Sequence, residues 1–551
     1  MIAYRRRASA ALGILASAAL LVSCVANPGP APIVDPADEP TATSTTGTTT
    51  RPASTRSEIS VGVDPVRNGF NPHLLADTSG IVDSVASLVL PSAFRDGNMD
   101  HDLLVQAGEV APGETAAPPT AAATAADPAP VQTVRYVINP EAQWSDGTPI
   151  TGADFVYLWE SLTGNPGVIE PAGYRAISAV RTLDAGKTVE VDFSTRVDDW
   201  QDLFTNLLPS HLAQPGGADF ATAFYADLPA AGGAYLVDSV DRARGQIILH
   251  RNDRYWGENP AQVDILRLRY ITSVTQGVDL LRSGQVSFLD RTPEETSVQA
   301  YQLVPDTQTR LIDGPRQLQL DLNATSTLFT DVAARAELES LIDVPLVARQ
   351  AAGRSSDLNI PEHEPRPADA LEPQILPAAT AERPLRIAAD PADDQASAAV
   401  RTIADALAAY GITTEIVSTD IPDAAGTLLP RGDLDAVVTR AREDNSRADL
   451  ASRFLCPPEE DSLRDANLSG YCGEDFTRLS RDILSGALGT YEARAAVADL
   501  NAREHLSIAL LGERRAIVLG DGIVGPDSDF SRWTGGLSTA ATWKPAAKEP
   551  Q

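Results

Sequence analysis

In a chain of 551 residues with 43% hydrophobic side chains, nothing after Leu21 is long and apolar enough to span a membrane. Its 75 acidic residues outnumber the 44 basic ones, and the formal net charge of −31 argues against nucleic acid as a partner and against a purely electrostatic grip on anionic lipid. The six histidines are scattered without metal-ligand spacing, and no G-x-S-x-G, H-E-x-x-H or phosphate-loop string occurs, so no metal, no cofactor and no enzymatic activity are expected; a glycan hydrolase using paired carboxylates is the alternative, with carboxylates too plentiful to choose a pair.

At the amino terminus Arg5, Arg6 and Arg7 precede an apolar run from Ala8 to Leu21, followed by Leu21-Val22-Ser23-Cys24. A charged start, an apolar stretch too short to span a bilayer and a small residue before the cut are the parts of an export signal. The cysteine just after the cut resembles a bacterial lipobox, which implies that residues 1–23 are removed and that Cys24 carries the lipid; an ordinary secretory signal is the alternative. Residues 24–57, mostly Pro, Thr, Ser, Ala and Gly, have too few large apolar side chains to fold and read as a disordered tether. The expected location is the extracytoplasmic face of the cell membrane, held there through the N-terminal lipid. In that compartment Cys456 and Cys472 are expected to pair as a disulfide, two reduced thiols being the alternative.

Glu58–Val63 alternates like a strand, and the loop through Phe70, Asn71 and Pro72 follows it. Ile81 to Leu90 has helical spacing, and the Ala/Pro/Thr-rich run Gly108 to Pro130 reads as an inserted surface loop. Thr133–Ile138 is a strand. Gln143-Trp-Ser-Asp-Gly-Thr-Pro-Ile-Thr-Gly-Ala-Asp-Phe-Val-Tyr-Leu-Trp-Glu160 then turns through Ser145, Asp146 and Gly147, and starts a helix with Thr151 as N-cap and Asp154 in its first turn. Asp146 and Asp154 are read as turn and cap residues rather than an acid/base pair.

Trp200 to Leu208 is helix-like, and Gly233–Val240 with Ile247–Trp256 are two strands joined by a polar turn. Val263–Ile271 alternates, Gly277–Val286 contains an L-x-x-G string, and Leu318–Asn323 is a strand. Arg354 to Thr380 is Pro-rich and reads as a long loop. From Pro384 a strand, helix, strand rhythm begins: Leu385–Ala388, Ala396–Tyr410 closed by Gly411, Thr414–Val417 and Asp435–Val438, which implies parallel strands with a crossover helix. Ala516–Leu519 is the last strand.

The string W-S-D-G-T-P-I-T-x-x-D-F with its aromatic-rich helix, the strand G-A-Y followed by R-N-x-x-Y-W, and the helix with its L-x-x-G turn resemble the family-5 solute-binding proteins of ABC transporters, the group with peptide- and nickel-binding receptors. Ala234 stands where the family usually has Pro. The lipobox, tether and signature string resemble in particular the LpqW group of mycobacterial lipoproteins, linked to phosphatidylinositol mannosides.

The resemblance implies an α/β, two-lobed periplasmic-binding-protein-like fold of type II with an extra subdomain: residues 58–324 as lobe I with the inserted subdomain, 325–383 as connecting helix and loop, 384–515 as lobe II and 516–551 as the return to lobe I. It also implies a ligand held between the lobes, a mannosylated phosphatidylinositol lipid supplied to mannosyltransferases, or an oligopeptide for an ABC permease. Phe70, Asn71, Asn323, Arg440, Arg442, Asp444 and Asp449 are the candidate ligand-binding residues. Phe70 and Asn71 equally read as core and turn, and Arg440, Arg442 and Asp444 as a surface ion-pair cluster. No aromatic directly follows Asp444 or Asp449, which sets both apart from the acid that pairs with the amino terminus in peptide-binding relatives.

Overall fold

The computed structural model describes residues 56–111, 129–213, 220–363, 372–443, 445–457 and 463–546. Cys24, the expected signal, the expected tether as far as residue 55, most of the Ala/Pro/Thr-rich run and Asp444 lie outside them, whereas Ser57, the expected last residue of the tether, is held by Asp264 at 2.8 Å.

In chain order, β1 (Glu58–Val63) leads to α1 (Gly80–Val89), then β2 (Leu104–Glu109), β3 (Gln132–Ile138) and α2 (Gly152–Gly164). Thr151 caps α2 as its sequence dictates: its hydroxyl accepts from Ala153 N, and Asp154 Oδ2 accepts the Thr151 N–H at 3.0 Å. The other Asp154 oxygen accepts from the backbone N and the hydroxyl of Ser210, so this one buried carboxylate joins the helix start to a segment more than fifty residues away. Before it, Trp144 and Gly147 close the turn with 2.7 and 2.8 Å backbone bonds, and Gly147 takes a φ of 94° that favours glycine.

The antiparallel strands β4 (Ile177–Leu183) and β5 (Thr188–Phe193) complete a four-stranded sheet in the order β2-β3-β5-β4. β6 (Tyr235–Asp241), β7 (Gln246–Arg251), β8 (Ile265–Tyr270), α3 (Val274–Arg282) and β9 (Phe288–Arg291) follow, then the fifteen-residue β10 (Gln308–Leu322). Beyond it lie α4 (Val332–Leu341), α5 (Val344–Ala352), β11 (Leu385–Ala389), α6 (Asp394–Ala408), β12 (Thr414–Ser418) and β13 (Ala436–Arg442). Three helices, α7 (Arg447–Ser452), α8 (Glu474–Leu484) and α9 (Thr490–Glu504), precede the thirteen-residue β14 (Ser507–Leu519).

One ten-stranded sheet runs β12-β11-β13-β10-β14-β9-β1-β8-β7-β6. β11 pairs parallel with both β12 and β13, consistent with the crossover helix α6 between strands, and Gly411 ends that stretch at φ 74°. The sheet serves two large cores and two smaller apolar clusters. One large core is built on Val61, Phe155, Tyr136 and Leu268; the other on Leu318, Leu320, Ile387, Val400 and Leu510. β10 and β14 pass between them as an antiparallel ribbon: Ile312 and Ile517 pack on the first core, Leu318 and Leu511 belong to the second, and the register shifts between Asp313 and Gln317. Residue 515, the expected end of the second lobe, therefore sits inside a continuous strand. Residues of α7, α8 and α9 pack their apolar faces into the first core.

Charges are buried where the ribbon crosses. Arg515 lies between Asp64 and Asp290, each at 2.6 Å, and these two carboxylates hold its guanidinium protonated despite burial. Arg316 bridges Asp83 and Glu513.

Two expected elements differ. In place of a helix over Trp200–Leu208 there is a single 3-10 turn, Trp200–Asp202, because Phe204 and Asn206 take left-handed backbone conformations; the apolar spacing instead seats Trp200 and Phe204 edge-on against Tyr136. The loop over Arg354–Thr380 ends in a helix, Ile375–Thr380, whose first N–H groups are capped by the Glu337 carboxylate from α4.

Candidate functional site

A cavity of about 1,780 Å³ opens beside the first core. Its wall is made by loops: the one after α1 through Phe94 to Leu103, residues 201–206, the Gly232-Gly233 turn, residues 255–259 and residues 534–541, with Arg442, Ser446 and Ala448 entering from the end of β13 and the start of α7. Asp96, Asp100, Asp102, Glu141, Glu170 and Glu258 line it against Arg95 and Arg442, so the lining is acidic. Arg95 is paired with Asp100 at 3.1 Å and Arg442 with Glu170 at 3.1 Å, which leaves little positive field for a naked anion. His73, buried at the wall with Nε2 2.9 Å from the Asn206 carbonyl, is pushed down to about 4 by burial and is neutral at pH 7.

Aromatic rings supply the apolar part of the wall: Phe94, Tyr174, Tyr255 and Trp256. Tyr255 and Trp256 form a tilted pair with centroids 5.6 Å apart, and both are anchored on Asp102, Tyr255 through its hydroxyl and Trp256 by its indole N–H to the Asp102 carbonyl at 2.5 Å. Asn252 sets the turn that presents them, donating to the Gly233 carbonyl at 2.9 Å.

A second, smaller chamber of about 290 Å³ lies behind the first, and Ile169, Glu170 and Arg442 line both. Glu170 holds a φ of 53°, rare for a residue with a Cβ, in the loop after α2, so the Glu170–Arg442 pair bridges that loop and the end of β13 between the two spaces.

Of the seven candidate binding residues, the structure brings Arg442 and Asp449 to these spaces, Arg442 to both and Asp449 to the smaller. Phe70 is fully buried, with its N–H on the Phe224 carbonyl and the Arg242 guanidinium 5.7 Å over its ring. Asn71 donates its amide to the Phe220 carbonyl and accepts the His73 N–H. Asn323 donates to the carbonyls of Leu429 and Leu434, both at 2.9 Å. Arg440 grips Asp393, the N-cap of α6, at 2.5 Å. These four tie segments together and line neither cavity; Asp444 lies outside the described residues. Cys456 and Cys472 are bonded to each other, with Cα atoms 4.6 Å apart.

The profile of the bacterial extracellular solute-binding proteins, family 5 Middle, matches residues 121–457. The chain belongs to family 5. This family-5 protein is 32% identical over 461 residues to the "Probable monoacyl phosphatidylinositol tetramannoside-binding protein LpqW" of Mycobacterium tuberculosis, an alignment over 81% of the chain and 66% of that protein. The chain thus spans just under two thirds of the length of that relative. It is 31% identical over 240 residues, 41% of the chain and 39% of the relative, to the oligopeptide-binding protein OppA of Mycobacterium tuberculosis. Among solved structures, the oligopeptide-binding protein AppA of Bacillus subtilis, in complex with a nonapeptide, superposes with a TM-score of 0.63 at 13% identity over 89% of the chain and 99% of AppA, a likeness of fold. The two-lobed α/β architecture of family 5 is therefore the fold of this chain.

Membership also sorts the wall residues. The aromatic pair that the family landmark R-N-x-x-Y-W contributes follows a turn in which Asn252 accepts the Arg254 N–H, and both residues line the large cavity. Tyr174 and Glu170 carry no sequence signal of their own; a left-handed Glu is visible only in three dimensions.

Proposed function

We propose that this family-5 protein is a lipid-anchored, extracytoplasmic solute-binding lipoprotein whose large cavity takes the mannosylated head of a phosphatidylinositol lipid, for supply to mannosyltransferases. The observation that carries this is the cavity itself. At about 1,780 Å³ it exceeds the several hundred Å³ of an ordinary small-molecule pocket, and its wall pairs aromatic rings with carboxylates and amides, the combination that stacks on sugar faces and grips hydroxyl groups. Its acidic balance suits neutral sugars, and in this reading the phosphate and acyl chains stay at the mouth. The 32% likeness to a protein named for a phosphatidylinositol tetramannoside supports the same reading. The two cores act as lobes that close on the ligand about the β10–β14 ribbon, and the solute leaves unchanged.

Lipids extracted from protein purified out of its native envelope, examined by mass spectrometry, are expected to contain acylated mannosyl-inositol species. Recovery of short peptides instead would favour a second reading, an oligopeptide receptor serving an ABC permease, for which the acidic wall and the peptide-binding relatives speak. The anchor is tested separately: Cys24→Ala is expected to release the protein from membranes, and a soluble wild-type protein with an unmodified Cys24 would refute it.

A further inference from the structure

One side of the smaller chamber is lined by polar side chains of a single strand. Along β10, Leu318, Leu320 and Leu322 point into the second core, so Gln317, Gln319 and Asp321 share the opposite face, and all three line the chamber. Asp321 accepts from Gln319 Nε2 at 2.7 Å and from the Thr439 hydroxyl on β13 at 3.0 Å, and among the described residues it makes no ion pair. Gln317 is 8% exposed, and its amide makes no hydrogen bond to any described residue. The amide is not sealed off within the protein, so it stands open to whatever occupies the chamber.

The other charges around the chamber are matched: Arg453 with Glu443 and Asp449, Arg442 with Glu170, Glu339 with His505. What remains for an occupant is an array of amide and carboxyl groups that both donate and accept, a set made for hydroxyls and not for a strong charge. Burial supports this by raising Asp321 to about 7, where the protonated carboxyl also donates. The volume of about 290 Å³ matches roughly ten waters at about 30 Å³ each, the scale of a single hexose ring with its hydroxyls.

Resting on the mannoside reading above, we propose that the chamber is an interior subsite for one neutral sugar ring, entered past the Glu170–Arg442 pair, in which Gln317 is the residue that recognises the sugar's hydroxyls. It would take the outermost sugar of a ligand whose remainder occupies the large cavity, and so measure how many sugars the head group carries.

The full chain is titrated by calorimetry with purified phosphatidylinositol mannosides carrying one, two and four mannoses, and with methyl α-mannopyranoside. The wild type is expected to gain about tenfold or more in affinity at the step where the added mannose reaches the chamber, because a buried polar group unmatched by its ligand is heavily penalised. Gln317→Leu, of similar volume but without hydrogen-bonding groups, is expected to fold normally, bind the shorter mannosides as the wild type does and lose that step. A Gln317→Leu variant that keeps the step would overturn the subsite while leaving the mannoside reading standing. Wild-type protein that binds none of these mannosides would overturn both. Crystals soaked in methyl α-mannopyranoside provide the second measurement: a sugar in the chamber within hydrogen-bond distance of Gln317 supports the proposal, and a bound peptide with its amine on Asp321 refutes it.

Discussion

Asp154 shows how much one side chain of this protein can carry. It completes the capping box of α2 and also satisfies the N–H and hydroxyl of Ser210. Thr151→Ala is expected to cost about 1 kcal/mol, the usual worth of an N-cap, whereas Asp154→Ala strands three donors and is expected to cost about 2 kcal/mol or more. Urea unfolding monitored by tryptophan fluorescence separates the two. Asp321 yields a pH prediction. Burial raises it to about 7 from an ordinary 3.8, so the folded protein holds that proton more tightly than the unfolded chain. Its contribution to stability is present below pH 3.8 and is lost as pH rises through 7. Asp321→Asn cannot titrate, so its stability relative to wild type is expected to rise between pH 4 and 7.5; parallel pH profiles would contradict the shift. The capping box was legible because its partners are three residues apart. Asn323 and Phe70 were not, since their partners lie more than a hundred residues away, and a polar or aromatic side chain beside a turn looks the same in sequence whether it faces a ligand or a distant carbonyl.

At the scale of elements, strands and helices with strong periodicity were legible, and their boundaries largely so: β1, β3, α1, α6, and the parallel set β11, β12 and β13. Trp200–Leu208 was misread because two left-handed residues break a helix without any Gly or Pro to announce it. The helix Ile375–Thr380 was missed because its cap comes from Glu337. The G-A-Y landmark gains a physical meaning here. Gly232 and Gly233 donate to the Val89 carbonyl at the end of α1, and a Cβ on Gly233 would stand 2.4 Å from the Leu88 carbonyl oxygen. Gly233→Ala must therefore move backbone, and it is expected to lower stability by at least about 2 kcal/mol and cut soluble yield. The Cys456–Cys472 bond closes a loop of sequence separation 16, so the Cys456→Ser/Cys472→Ser variant is expected to be less stable by about 3 kcal/mol, measured as the difference in denaturation midpoint with and without reductant.

Across the whole molecule, the family and its α/β class were legible from the signature string and the strand rhythm. The division of labour between segments was not. α7, α8 and α9 follow β13 in the chain yet bury their faces in the first core, since which core a helix joins is decided by contacts that local periodicity does not encode. The same holds for the cavities: their walls are gathered from loops spread between residues 72 and 541, so among the described residues Arg442 and Asp449 alone of the expected ones reach them.

The ribbon of β10 and β14 has a consequence for biogenesis. β9 finds one of its two neighbours in β14, and Phe288 on β9 is covered by Trp533 and Trp543, at centroid distances of 6.1 and 4.7 Å. The first core thus stays unsealed until β14, Trp533 and Trp543 have been synthesised, and until then a nascent chain presents a bare strand edge and an uncovered phenylalanine. Chains truncated before Ser507 are expected to accumulate as aggregates or proteolytic fragments rather than as a soluble half-molecule, and recovery of a stable, protease-resistant piece ending there would contradict this.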